Sequence, residues 1–461
     1  MGYRPSIIFV LGVFINYFYV TDVLAKLTPT SRVCIIGAGY AGLAAARHMK
    51  NNGLNFTVFE STSYIGGTWR FDSRTGTDEF GVPLFTNQYK KLRINTPYQT
   101  MEFGGFPFPD GTVSFPSGVC FYKYLQAFAR HFDLMKDIQL NSQVTWVQWT
   151  GEDWNLTYTK SDTKNNVTEQ CDFVVVASGE FNNPYIPKFK GQELFKGKVL
   201  HSHSYKDAED YRSKRVLLIG GRATGVDLAV QLSNITSKLV HSNHIFRTFK
   251  TFNPPNFPET YINKPDLKHF TPNGAVFEDD TAEDFDIVIY CTGYKYYHPF
   301  LNHLSSGITT SESYVFPLYQ QIVNINQPTM TFVGVSKEII SKILEVQAEY
   351  SAALAAGKFE LPPKDEMLRQ WVDHVHTLRK EGFRATDVNS IGTNIDKYFA
   401  TLHKEAGIQM LPPVFNMMIS FDIKNILEDL VNFRDYDYKV ISDTQYVKKY
   451  NPRQEVCPFN T

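Results

Sequence analysis

Short apolar runs, each cut off by glycine or by a polar cluster, set the rhythm of this chain. SRVCII at 31–36 is followed at once by GAGYAG, then by small residues from Leu43 to about Lys50, then by FTVFE, which ends in Glu60. The first and last of these read as strands and the middle one as a helix, which is the βαβ order. The pattern returns at residue 215, with RVLLIG, GRATG, the helical VDLAVQLS and a further strand, KLVHSNH. CDFVVVASG (171–179) and FDIVIYCTGY (285–294) are continuous apolar runs that each end in a small–Ser/Thr–Gly turn. Such runs read as parallel strands buried on both faces, with connections that cross between domains, although ordinary sheet strands share the pattern.

These elements predict an α/β fold of two dinucleotide-binding (Rossmann-like) domains, the second inserted in the larger first. The 461 residues exceed one ordinary core, as two packed units require. The expected division is 1–25 as a leader, 26–210 and 326–445 as the two parts of the larger domain, 211–325 as the insert, and 446–461 as a polar tail. The stretch 358–410, with Pro362, Pro363 and a helix to about Arg379, reads as a looser C-terminal region.

The glycines carry the first chemistry. Gly37 makes a tight turn, Gly39 lets backbone approach a pyrophosphate, and Gly42 lets the helix pack close on the sheet. The helix N-terminus offers free N–H groups and a positive dipole end to phosphate. Glu60 can accept both ribose hydroxyl hydrogen bonds and repels a 2′-phosphate, so this site prefers FAD or NAD over NADP. The second loop keeps Gly220 and Gly225 but places Arg222 where the middle glycine belongs. Two nucleotide units in one chain imply electron transfer between a fixed and an exchanged nucleotide.

Composition adds less. A net charge of −1 gives no electrostatic ground for nucleic acid or an acidic membrane as partner. Arg4, the apolar run Ile7–Val20 and the small residues Val23 and Ala25 before Lys26 read as a secretory leader; the run is too short and interrupted for a comfortable span. Of five cysteines, Cys34 and Cys291 lie in apolar strand-like runs and are expected as buried free thiols. The odd count without close pairing is not read as a disulfide framework. Among the sequons at Asn55, Asn155, Asn166 and Asn234, Asn166 is the best acceptor, in an exposed hairpin loop; Asn55 precedes a buried strand and is expected unmodified. No metal motif is present.

FKGKVLHSHSYK at 195–206 places Phe195, Gly197, His201, Tyr205 and Lys206 at every defined position of F-x-G-x-x-x-H-x-x-x-Y-(K/R). That segment, between two glycine loops, resembles the flavin-containing monooxygenase family. The likeness runs from about Arg32 to Val440 and includes GGTW (66–69), LRINTP (92–97), FPFP (106–109) and CTGY (291–294). Tyr205 stands where the related Baeyer–Villiger enzymes carry Trp. The resemblance implies FAD held by Gly37, Ala38, Gly39, Tyr40, Ala41, Gly42, Glu60, Gly67, Thr68, Trp69, Asn95, Thr96 and Gln347. It implies NADPH held by Gly220, Arg222, Thr224, Gly225, Asp227, Tyr205 and Lys206.

By the same resemblance Asn95 lies beside the reactive edge of the flavin and is the catalytic candidate. A neutral amide there can hydrogen-bond a C4a-hydroperoxyflavin without delivering the proton that expels H2O2. Asn-Thr-Pro also reads as a plain turn. His201, a lone histidine beside a strand, reads equally well as a structural residue, so it is not assigned as a base.

The implied reaction takes NADPH, O2 and a soft amine or sulfide to an N- or S-oxide. A secreted member lacking a hydrophobic tail resembles the insect branch, whose pyrrolizidine-alkaloid N-oxygenases act in haemolymph; tertiary-amine alkaloids are the expected substrates. Two alternatives stand beside it: an uncoupled NADPH oxidase releasing H2O2, which needs the same motifs and a leakier pocket, and a secreted flavin carrier whose NADPH loop decayed at Arg222, against which Asn95, segment 195–206 and the CTGY turn argue. After the second unit's helix and strand the family often has Ser-x-Arg, whereas here Ser242 precedes Asn243 and His244, with Arg247 further on, which puts NADPH preference in doubt. Homo-oligomerisation is left open by the sequence.

Overall fold

The computed structural model describes residues 31–243, 257–338, 341–419 and 429–459; the expected leader, His244 and Arg247 lie outside them. The strands, in chain order, are β1 (Arg32–Ile36), β2 (Asn55–Phe59), β3 (Ile138–Gln139), β4 (Phe173–Val176), β5 (Lys198–His201), β6 (Arg215–Ile219), β7 (Lys238–Ser242), β8 (Tyr261–Lys264), β9 (Ile287–Tyr290), β10 (Leu318–Tyr319), β11 (Val323–Asn324) and β12 (Met330–Phe332), with smaller sheets between them. Seven form one sheet in the order β10-β11-β12-β4-β1-β2-β3, and five form another in the order β8-β7-β6-β9-β5.

The second sheet is parallel throughout, as is the first apart from β10–β12, which meander antiparallel. The chain leaves the first sheet after β4, builds all of the second, and returns at β10. The insertion is therefore as expected, but both boundaries differ. β5 joins the second sheet ahead of residue 211, and β10 rejoins the first ahead of residue 326. β5 is a half-exposed edge strand and β10 has two residues, so neither carries the long apolar run that betrays a central strand. β4 and β9, flanked on both sides, are buried at every position.

Alternation along β1 splits the first unit into two cores. Val33 and Ile35 face the helices Tyr40–Asn51, Gly118–His131 and Ser341–Ala355, whereas Cys34 and Ile36 face a three-stranded antiparallel sheet (Ser142–Trp149, Trp154–Lys160, Asn166–Cys171). Trp154, fully buried there, donates its indole N–H to Thr329 Oγ1 at 2.9 Å. The helices Lys364–Lys380 and Ile395–Ala406 bury Met367, Leu378, Tyr398, Phe399 and Leu402, so the C-terminal region is packed rather than loose. Among the described residues no helix is long and apolar enough to cross a membrane.

The cysteines correct the sequence reading. Cys34 is bonded to Cys171 and Cys120 to Cys457, with Cα separations of 5.8 and 5.5 Å. Only Cys291 is the buried free thiol expected, and burial pushes it up to about 12. Sequence separations of 137 and 337 residues hide both pairs from any spacing rule. The second bond pins the supposed polar tail, where Phe459 packs edge-on against Phe108 and Tyr124. Asn166 is exposed but opens a strand rather than sitting in the hairpin loop, and Asn55 is exposed at the start of β2.

Candidate active site

Both glycine loops are shaped by backbone contacts that no side chain could share. Gly37 has φ +102°, and a Cβ there would lie 2.6 Å from the Ala177 carbonyl oxygen at the end of β4. A Cβ on Gly42 would lie 1.8 Å from the Gly37 oxygen. Gly220, at φ +114°, stands 2.4 Å by the same measure from the Cys291 oxygen beyond β9, and Gly225 1.9 Å from the Gly220 oxygen. The small–Ser/Thr–Gly turns therefore close over the glycine loops from the neighbouring strand.

Neither loop's helix is capped by a side chain, and neither has an acid in its first turn. Elsewhere the chain does supply such groups: Ser117 and Asn394 cap their helices, and Asp365 and Glu366 open the helix behind Pro363. The two nucleotide helices thus keep bare N–H groups and an uncompensated positive end, which is what an anion needs. Arg222 is the N-cap of its helix at φ −80°, ψ −174°, close to the −75°, −168° of Gly39, and its side chain is exposed.

Segment 195–206 fastens the two units together. Lys206 Nζ donates to the carbonyls of Thr86 and Gln88 at 3.1 and 3.3 Å, and burial pushes it down to about 8. A His203 ring nitrogen bonds the Leu84 carbonyl, and the Tyr205 ring meets Tyr89 edge-on at 5.3 Å. His201 Nε2 bonds the Gly293 carbonyl at 3.0 Å while Nδ1 accepts from the His203 amide. Burial holds His201 down to about 4, and both its ring nitrogens are engaged by backbone groups. Gly197 leaves no room for a side chain, since a Cβ would lie 2.5 Å from the Phe195 ring and 2.7 Å from the Asp286 oxygen. The turn Gly67–Trp69 joins the same seam: Thr68 Oγ1 donates to Asn87 Oδ1 at 2.5 Å, and Asn87 Nδ2 reaches the Tyr294 hydroxyl at 3.4 Å.

Asn95 lies in the loop between these ties and the helix Gly118–His131. Its Oδ1 accepts from Arg434, whose guanidinium also pairs with Asp227 at 2.7 Å and donates to the Ile94 carbonyl at 3.1 Å. Arg434 is the site residue that sequence reading misses, because it comes from a C-terminal segment 339 residues away and belongs to no motif.

Residues 30–246 and 259–441 match the flavin-binding monooxygenase-like family. The chain belongs to it. It is 60% identical over 95% of its length, and 96% of the relative's, to a senecionine N-oxygenase of Tyria jacobaeae. It is 30% identical over 76% of its length, and 80% of the relative's, to a trimethylamine monooxygenase of Methylocella silvestris. The solved S-allyl-L-cysteine S-oxygenase of Allium sativum superposes with a TM-score of 0.81 at 28% identity, covering 88% of this chain and 95% of that one.

Flavin-binding monooxygenases use FAD and NADPH, and the geometry fits both. A Cβ on Gly39 would meet only Gly67, at 3.6 Å from its Cα, so the two glycines pack backbone to backbone with no side chain between them. The bare backbone of this loop, beside the open helix N-terminus, is where an FAD pyrophosphate would be held. Glu60, buried at the end of β2, accepts from Thr62 N, Thr62 Oγ1 and Ser61 Oγ on Oε1, and from Ala38 N on Oε2. Oε2 thus keeps a lone pair that a ribose hydroxyl could use, while Oε1 is taken up by the chain's own donors. In the other unit Gly220, Thr224 and Gly225 with the backbone of Arg222 occupy the matching positions and would hold the second phosphate group.

Several expected cofactor side chains have other work in this flavin-binding monooxygenase. Tyr40 turns inward and stacks on Phe103 at 4.2 Å, leaving only its backbone at the loop. Gln347 spends its amide on Gly334 N and Tyr398 Oη. Tyr205 is fully buried against Tyr89 and Tyr211, and Lys206 sits on backbone carbonyls. Asp227 is buried between Arg434 and Tyr89. A motif fixes where such residues lie along the chain, not which way they point. Ala38 and Ala41 are likewise buried, whereas Trp69, Asn95 and Thr96 are partly open.

Proposed function

We propose that this monooxygenase N-oxygenates tertiary-amine alkaloids of the pyrrolizidine type in an extracellular fluid. The observation that carries the substrate class is the 60% identity to the senecionine N-oxygenase, over nearly the whole of both chains. FAD reduced by NADPH supplies activation of O2 and transfer of one oxygen atom. In balance, amine, O2, NADPH and a proton give amine N-oxide, NADP+ and water. The protein's part is to hold, orient and keep dry. The glycine loops bind the two pyrophosphates, and the seam of segment 195–206 with 84–90 sets the distance between the units. Asn95 offers a neutral amide that cannot supply a proton at the reacting edge.

Extracellular location is supported by the leader pattern before Lys26 and by the two disulfides, which persist in oxidising compartments. N-terminal sequencing of secreted protein should begin at or near Lys26; full-length chain found only in a membrane pellet overturns that part. For the reaction, NADPH consumption is measured with and without a pyrrolizidine alkaloid, with product followed by mass. The expected result is a yellow protein whose NADPH use is matched by a product gaining one oxygen. Equal NADPH use with H2O2 as the only product would establish the oxidase instead.

A further inference from the structure

We infer that Arg434 is the positioning residue of this site: its guanidinium sets which end of the Asn95 amide is presented and ties that setting to the nucleotide-binding helix through Asp227. The inference rests on the role proposed for Asn95. A guanidinium has only donors, so the amide atom that faces it must be the oxygen. Arg434 Nη2 takes Asn95 Oδ1, and the Nδ2 end is left without a hydrogen-bond partner among the described residues. Without the arginine, an Asn amide can flip at little cost and present an acceptor in place of the donor.

Arg434 is itself held from every side. Its Nη1 pairs with Asp227 Oδ1 at 2.7 Å and its Nε donates to Ile94 O at 3.1 Å, while its own carbonyl accepts from Arg93 Nη2 at 2.5 Å. Asp227, on the helix Ala223–Leu232 that opens the second nucleotide site, takes the Tyr89 hydroxyl on its other oxygen. Its side chain is 5% exposed and that of Arg434 10%. A buried ion pair between units in this geometry makes the Asn95 setting depend on where the second unit's helix sits.

The test compares Arg434→Lys, Asn95→Leu and the double variant with the parent. Lysine keeps a charge for Asp227 but lacks the fork that reaches Asn95 at the same time. FAD affinity of the apoprotein and the visible spectrum of bound flavin are read beside the ratio of oxygenated product to NADPH consumed. Positioning predicts parent-like FAD affinity for Arg434→Lys with that ratio down five-fold or more and H2O2 up to match. It also predicts a double variant no worse than Asn95→Leu alone, because both changes remove one function. Full coupling in Arg434→Lys, or losses in the double variant that multiply, overturns the inference. So does a fall of the ratio only in proportion to lost FAD, which marks a structural residue. A parent that makes no product from any amine sinks the proposed function instead.

Discussion

The two glycine loops of this molecule keep the same outer glycines and a similar backbone, and they part most sharply at the middle position, Gly39 in one and Arg222 in the other. The outer glycines are forced alike: added Cβ atoms would lie 2.6 and 1.8 Å from backbone oxygen at Gly37 and Gly42, and 2.4 and 1.9 Å at Gly220 and Gly225. The middle position is not forced, since Gly39 and Arg222 both adopt extended angles open to any residue. What crowds Gly39 is a second loop, with Gly67 at φ +54° closing on it from the other side. Arg222, at the matching position, is exposed. Outer glycines therefore answer to the fold, whereas at the middle position one loop is faced by a second loop's backbone and the other carries an exposed cation.

The comparison breaks most severely at the third glycines. Gly42→Ala should prevent FAD retention and cost about 3 kcal/mol or more, because the loop carbonyl cannot yield to a methyl group. Gly225→Ala should leave a yellow protein that NADPH no longer reduces. FAD content and anaerobic reduction decide between them; loss of FAD in both would mean that the units do not fold as separate sites. At the middle position the asymmetry should invert. Gly39→Arg should expel FAD, while Arg222→Gly should leave stability within about 0.5 kcal/mol and weaken NADPH binding roughly tenfold, the share of one charge-assisted contact to phosphate. Unchanged NADPH affinity in Arg222→Gly would show that the arginine meets no phosphate.

Between the loops lies Asn95, and there binding and chemistry should separate. Asn95→Leu needs neither loop altered, so FAD should stay bound and be reduced by NADPH. A lost hydrogen bond of about 1–3 kcal/mol is enough to shift the outcome from oxygenated product toward H2O2 by tenfold or more. NADPH use and peroxide release should persist while N-oxide falls. Coupling as tight as the parent's would make Asn95 a turn residue only.

What could be read from the chain follows the same division. Gly37, Gly42, Gly220 and Gly225 were legible because backbone sterics allow nothing else there, and β4 and β9 because burial on both faces demands continuous apolar runs. Direction was not legible: Asp227, Tyr205 and Lys206 fall at motif positions but point into the seam between units. Nor were long closures. Cys34–Cys171, Cys120–Cys457 and Arg434–Asn95 join residues whose proximity is set only by the assembled sheets.

The smallest expected effect concerns what each loop rests on. The first loop leans on the Glu60 carboxylate through Ala38 N, whereas the Gly220 carbonyl of the second is bonded at 2.8 Å by His241 Nε2. Burial pushes His241 down to about 4, against a weaker opposing pull from the Gly220 bond. An ordinary histidine in the unfolded chain takes its proton near 6.5. Between those two values the unfolded state binds the extra proton and the folded state does not. The stability this histidine confers is therefore whole above pH 6.5 and is lost as pH falls toward 4, by about 2 kcal/mol at pH 5. His201, within segment 195–206, is also pushed down to about 4 and adds to the loss, and His48 in the first unit does too. His241→Gln keeps an amide donor for Gly220 without the titration. Denaturant midpoints at pH 7.5 and 5.0 should differ less for that variant than for the parent, with NADP+ affinity at pH 5.0 better kept. Equal acid losses in the two proteins would place the cost on the other histidines, and the second loop would then be no more acid-sensitive than the first.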